Sequence, residues 1–133
     1  MTNPLSKWAF VLNDNDDLNL EKNWEKISSQ LIDVLKKTKK YVFQLEQGNE
    51  TNRLHFQGRF TLGDKNKKRK TDCLKLFPEA LSTISLRPEV NTLKSEFYCI
   101  KKDETYRQGP WSDEDKPIYI PRQIREIELQ AVS

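Results

Sequence analysis

The stretch LHFQGRFTL, residues 54–62, alternates apolar and polar side chains with a period of two. That pattern constrains the fold more than any other feature of the chain, because it reads as a β-strand with one buried face. Leu54, Phe56, Phe60 and Leu62 fall on one side, His55, Gln57, Arg59 and Thr61 on the other, and Gly58 is neutral. A second run, KYVFQLE at 40–46, divides in the same way into Tyr41, Phe43 and Leu45 against Val42, Gln44 and Glu46. Between them lies QGNETNR, rich in turn formers, so the two runs are expected to form an antiparallel hairpin. If both strands bury their apolar faces against the same helices, Glu46 projects on the side of His55 and Gln57, near the turn end, while Gln47 has the wrong parity.

The rest of the chain supplies the partners. KWAFVLN (7–13) is apolar on both faces and reads as an interior strand, with Trp8 and Phe10 assigned by default to the core. After the turn-rich NDNDDLN, residues Leu20, Trp24, Ile27, Leu31, Val34 and Leu35 recur at helical spacing and predict a helix over 20–37. A short helix is expected at 71–77, stopped by Pro78, then a strand at 82–88. Asn91 fits the N-cap of a helix running through TLKSEFYCIKK, 109–121 reads as an irregular arm, and Pro121 is placed to open a last short helix. The order strand, helix, strand, strand, helix, strand, helix implies an α+β fold of the RRM/ferredoxin-like kind. It is an antiparallel sheet of about five strands with helices packed on one face, leaving the other for a site.

Composition narrows the class. A chain of 133 residues, 35% hydrophobic and 32% charged, fits one domain with one core. No run approaches the roughly 20 apolar residues of a membrane span. MTNPLSKWAFVLND lacks the charged start and apolar stretch of a signal peptide, so no membrane partner is expected. Cys73 and Cys99 lie far apart without CxxC spacing, which argues against a disulfide framework or a zinc site and for a reducing, intracellular setting. The net charge of +3 names no partner, but its distribution is uneven. GDKNKKRK carries Lys65, Lys67, Lys68, Arg69 and Lys70 against Asp64, whereas acids gather at 14–17 and 113–115. Such a basic loop reads either as a phosphate-binding edge or as a solvated loop.

Two constellations can carry chemistry. Glu46, His55 and Gln57 form a mixed oxygen and nitrogen set that suits Mg²⁺ or Mn²⁺ better than a closed zinc site, and an ordinary polar sheet face fits the same parity. In the second, Val90, Leu93, Phe97 and Ile100 form the buried stripe of the expected helix. Tyr98 lies off that stripe, on the flank of Lys94, Lys101 and Lys102. A phenol with a pKa of about 10 is a weak nucleophile at neutral pH, and neighbouring ammonium groups favour its phenolate. A partly buried tyrosine among solvated lysines is the plainer alternative.

WAFVLND, LHFQGRF and YCIKKDET together resemble, in order and spacing, the three motifs of Rep-type HUH endonucleases, the rolling-circle replication initiators of circular single-stranded DNA viruses. Phe10 to Asn13 match the first motif, and His55-Phe56-Gln57 matches the histidine–hydrophobic–glutamine form of the second. LEQG supplies the acidic ligand as Glu46, and Tyr98 with Lys101 match Tyr-x-x-Lys. The likeness runs from about residue 7 to 111, and the tail RQGPWSD…PIYIPRQIRE resembles bacilladnavirus-type relatives.

The resemblance implies an HUH endonuclease domain over 1–120. It further implies a short helix or tail over 121–133 leading toward a helicase domain, whose GxxxxGK[ST] phosphate loop is absent from these residues. It implies a metal-dependent nickase and ligase acting on a single-stranded origin stem-loop. Mn²⁺ or Mg²⁺ would sit on Glu46, His55 and Gln57, with Tyr98 as nucleophile and Lys101 assisting. Arg59, Arg87, Lys102 and the Lys65, Lys67, Lys68, Arg69 and Lys70 loop would contact DNA. Self-association through the full-length protein and action in a host nucleus follow from the same resemblance. The alternative is a non-catalytic RRM-like single-strand binder, whose [KR]-G-[FY]-[GA]-F-V-x-[FY] signature is missing.

Overall fold

A computed structural model of the chain describes residues 4–89, 100–101, 104–113 and 119–120. Strand β1 (Lys7–Asn13) leads into helix α1 (Leu20–Leu35), then into the hairpin of β2 (Lys40–Gln47) and β3 (Leu54–Thr61). A short helix α2 (Lys70–Leu74) and a 3-10 turn after Pro78 precede β4 (Ser85–Pro88). The strands β5 (Ile100–Lys101), β6 (Tyr106–Ser112) and β7 (Tyr119–Ile120) follow. The main sheet has five strands in the order β4-β1-β3-β2-β6, every neighbouring pair antiparallel. Its first four strands, in the order 4-1-3-2 with helical connections, make a ferredoxin-like α+β fold, as the sequence pattern predicts. Among the described residues no helix is long and apolar enough to cross a membrane.

One sheet face and α1 enclose the core. Trp8, Phe10 and Leu12 from β1, Phe43 and Leu45 from β2, and Phe56 and Phe60 from β3 meet Leu20, Ile27, Leu31 and Leu35 of the helix, all buried. Trp8 and Phe10 are therefore core residues and not stacking platforms. The acidic loop before α1 has a structural task. Asn19 takes a left-handed conformation at φ 47° without capping the helix itself, and Asp14 Oδ1 accepts the Leu20 N–H at 2.9 Å instead. Asn15 Oδ1 accepts the Leu18 N–H at 2.8 Å and closes the loop.

Gly58 is more than neutral. It stands opposite Phe10 on one side and Phe43 on the other, and those two rings lean together across it with centroids 6.1 Å apart. A Cβ at this position would fall 2.3 Å from Val42 O and 2.4 Å from Phe43 Cβ.

Two expectations need correction. Ile100–Lys101 is not the end of a helix but a two-residue strand paired in parallel with Tyr119–Ile120, a β-prone pair that the helical period of 90–102 does not reveal. The remainder of that segment, with Asn91, Tyr98 and Lys102, lies outside the described residues, as does 121–133. Nor is 109–121 wholly an irregular arm, since β6 runs to Ser112 as the strand flanking β2. Gly109 and Pro110 made the stretch look irregular, but an edge strand tolerates a proline, and the Trp111 ring stacks on Phe43 at 5.0 Å.

Candidate functional site

Directly opposed residues of an antiparallel pair present their side chains to the same face. The face away from α1 therefore carries rows that cross the strands. One row is Asn13, His55 and Glu46, on β1, β3 and β2 in turn, and Tyr106 of β6 pairs with Glu46 across a bulged register. The next is Val11, Gln57 and Gln44. Beyond it come Arg87, Ala9, Arg59, Val42 and Ser112, and then Lys7, Thr61 and Lys40.

Glu46 and His55 are brought together. His55 Nε2 lies 3.0 Å from Glu46 Oε1, and their side chains are 19% and 15% exposed. The second oxygen of the same carboxylate, Oε2, accepts a hydrogen bond from the amide Nε2 of Gln44, itself only 1% exposed. Gln57 is exposed, directly opposite Gln44 and two residues along β3 from His55. On β6 the Tyr106 hydroxyl donates to the Gly109 carbonyl at 2.6 Å.

This donor set fits a small divalent ion. The two atoms share a hydrogen bond at 3.0 Å, and an imidazole nitrogen beside a carboxylate oxygen is the kind of donor pair that such ions take. Among the described residues no three His, Cys, Asp or Glu side chains group to hold a metal, so further protein ligands would be amides. Gln57 is one, and Asn13, on the His55 row, is another that the sequence reading did not single out. Side-chain parity of the first strand would have found it.

The expected DNA-binding residues fall in two places. Arg59 is half-buried mid-strand, and Arg87 is exposed in the same row two strands away. Lys65, Lys67 and Arg69 are exposed in the segment after β3, where Lys68 pairs through its backbone with Leu5, and Lys70 is exposed at the start of α2. That loop lies at the opposite end of β3 from His55, roughly 20 Å away at the rise of an extended strand. It is not part of the Glu46–His55 centre, and the row of Lys7 and Lys40, which sequence reasoning missed, lies between the two.

Two other described groups of nucleophilic type, Tyr41 and Cys73, are held in their protonated forms. Burial, helped by the neighbouring Asp113 carboxylate, raises the Tyr41 phenol above its ordinary range. Burial likewise pushes the Cys73 thiol up to about 11, with Lys68 opposing and Asp72 reinforcing the shift. Neither group faces the His55 row. Lys101 is placed only by its backbone, in β5. No protein-family model matches the chain, and no curated protein is significantly similar to it.

Proposed function

We propose that the protein is a Rep-type HUH endonuclease that nicks and rejoins single-stranded DNA through a covalent tyrosyl intermediate. The observation that carries this reading is the 3.0 Å pairing of Glu46 with His55, one row from Gln57 on a single sheet face. The Tyr98-x-x-Lys101 motif downstream supports it from the sequence. A ferredoxin-like fold alone names no function, so the reading rests on these side chains.

Glu46, His55 and Gln57 would hold Mn²⁺ or Mg²⁺, and when bound the ion supplies Lewis-acid polarisation of the scissile phosphate. The Tyr98 oxygen attacks phosphorus and gives up its proton, the bond from phosphorus to the 3′ oxygen breaks, and that oxygen takes a proton to become a free 3′-OH. The 5′-phosphate stays on Tyr98. Attack by a 3′-OH on the phosphotyrosine reverses the step, so rejoining conserves the bond and needs no ATP. The Lys101 ammonium favours the phenolate and the charge of the pentacoordinate phosphate, with Lys102 in a lesser role. Arg59, Arg87 and the 65–70 loop bind the DNA backbone, which makes affinity salt-dependent. An origin stem-loop, self-association and action in a host nucleus complete the proposal.

The test is covalent capture. Incubated with a pool of single-stranded oligonucleotides and Mn²⁺, the protein should give a denaturation-resistant band that Tyr98→Phe, His55→Ala or EDTA removes. Absence of a band with every sequence, or its survival in Tyr98→Phe, overturns the mechanism. A non-catalytic RRM-like binder, which the 4-1-3-2 strand order also suits, would show affinity without the band.

A further inference from the structure

The two oxygens of the Glu46 carboxylate are committed in different directions. Oε1 faces His55 Nε2 at 3.0 Å, and Oε2 is held by the Gln44 amide two residues back on the same strand face. At 1% exposure Gln44 is shielded from bulk water, so its amide cannot swing out to a solvent partner at little cost. A carboxylate restrained in this way offers one oxygen to an ion. Ca²⁺ takes 6–8 oxygens at 2.3–2.6 Å and often uses both oxygens of a carboxylate, whereas Mg²⁺ and ions of similar size take near-octahedral single-oxygen ligands at 2.0–2.1 Å.

The geometry points to Gln44 as the residue that keeps Glu46 a one-oxygen ligand and so sets the site's preference for Mn²⁺ or Mg²⁺ over Ca²⁺. This rests on Glu46 and His55 being ligands, the reading given above. Gln44 is then a positioning residue: it touches neither DNA nor the ion and acts through the carboxylate. Nothing in the strand pattern of KYVFQLE marks it, since a polar residue on that face reads as solvated.

The experiment is metal binding to the DNA-free protein, read by Mn²⁺ electron paramagnetic resonance with Ca²⁺ as competitor. Three proteins are compared: wild type, Gln44→Met and Glu46→Gln. Gln44→Met keeps length and removes the donor. Removing an outer partner of a ligand typically costs 10–100-fold in metal affinity, so Mn²⁺ should bind at least about ten-fold more weakly. Ca²⁺ should lose less, narrowing the Mn²⁺/Ca²⁺ ratio by about five-fold or more. An unchanged ratio in a folded Gln44→Met protein, even one with a lowered Tm, makes Gln44 a structural amide and overturns the inference while leaving the metal reading intact. Wild-type binding no tighter than that of Glu46→Gln overturns both. Should Gln44→Met fail to fold, difference infrared spectra of the wild type on Mn²⁺ loading decide. With Glu46→Gln subtracted, a wide splitting of the carboxylate stretches is the one-oxygen mode, and the narrow splitting of two-oxygen binding refutes the inference.

Discussion

Replacing Gly58 by alanine should strike the hairpin that carries the candidate centre. The added Cβ would sit 2.4 Å from Phe43 Cβ and 2.3 Å from Val42 O, against an ordinary contact beginning at 3.4 Å. Relief requires β2 and β3 to part locally by the difference of 3.4 and 2.4 Å, about 1 Å. The atoms in the way are backbone and Cβ, so no flexible side-chain tip can yield. Overpacking of this kind costs about 1–3 kcal/mol. Stretching the neighbouring ladder hydrogen bonds adds about 1 kcal/mol. Against this, alanine restricts the unfolded chain more than glycine does and returns only about 0.4–1 kcal/mol. The clash wins, with a net loss of about 2 kcal/mol, a sizeable part of the roughly 5–15 kcal/mol stability of a small domain. At about 4 °C per kcal/mol for a chain of this size, calorimetry should show Tm lower by about 8 °C. Because the same ladder sets Glu46 opposite His55, the Mn²⁺ affinity that the proposed function requires should fall as well. A Tm within 2–3 °C of wild type would show that the strands separate more easily than close packing allows and would refute the reasoning.

Trp111→Ala removes a half-buried ring stacked on Phe43 at 5.0 Å and should cost about 3 kcal/mol, with faster amide exchange along Tyr106–Ser112 measured by mass spectrometry. On the proposed function, Arg87→Ala should weaken single-stranded DNA binding uniformly across sequences and reduce the salt slope of log K by about 0.7, read by fluorescence anisotropy. Burial raises the Cys73 thiol from 9.0 to about 11, so the folded state holds its proton after the unfolded chain has lost it. The stability this provides is fully present below pH 9 and lost as pH rises toward 11. In a Cys99→Ser background, denaturant midpoints should fall more steeply over that window with Cys73 than with Cys73→Ala, and native Cys73 should resist thiol reagents at pH 8.

Much of the site was legible because side-chain parity is local. Phe56 and Phe60 face the helix and His55 and Gln57 do not, whatever the strand pairs with, and the same holds for Glu46 against Leu45. The helical period of 20–35 is equally local, and so is the turn chemistry of 48–53. Boundaries blurred where end effects decide. The helix predicted to 37 stops at Leu35, and the strand predicted from 82 begins at Ser85, because Leu81 to Ile84 close a turn first.

By itself, then, the chain determined which side chains share a face, because tetrahedral Cα geometry imposes that alternation at every strand residue. Register needed the tertiary structure: Glu46 faces His55 and Gln44 faces Gln57, where a slip of two residues would keep parity and exchange the partners. Burial needed it too. Gln44 reads as a solvated polar residue and is 1% exposed, since accessibility depends on what packs over a face and not on the residue beneath. The strand at Tyr106–Ser112 depended on it most. Its Gly and Pro give weak local signals, and it becomes a strand because β2 offers an edge to pair with and Phe43 offers Trp111 a ring to cover.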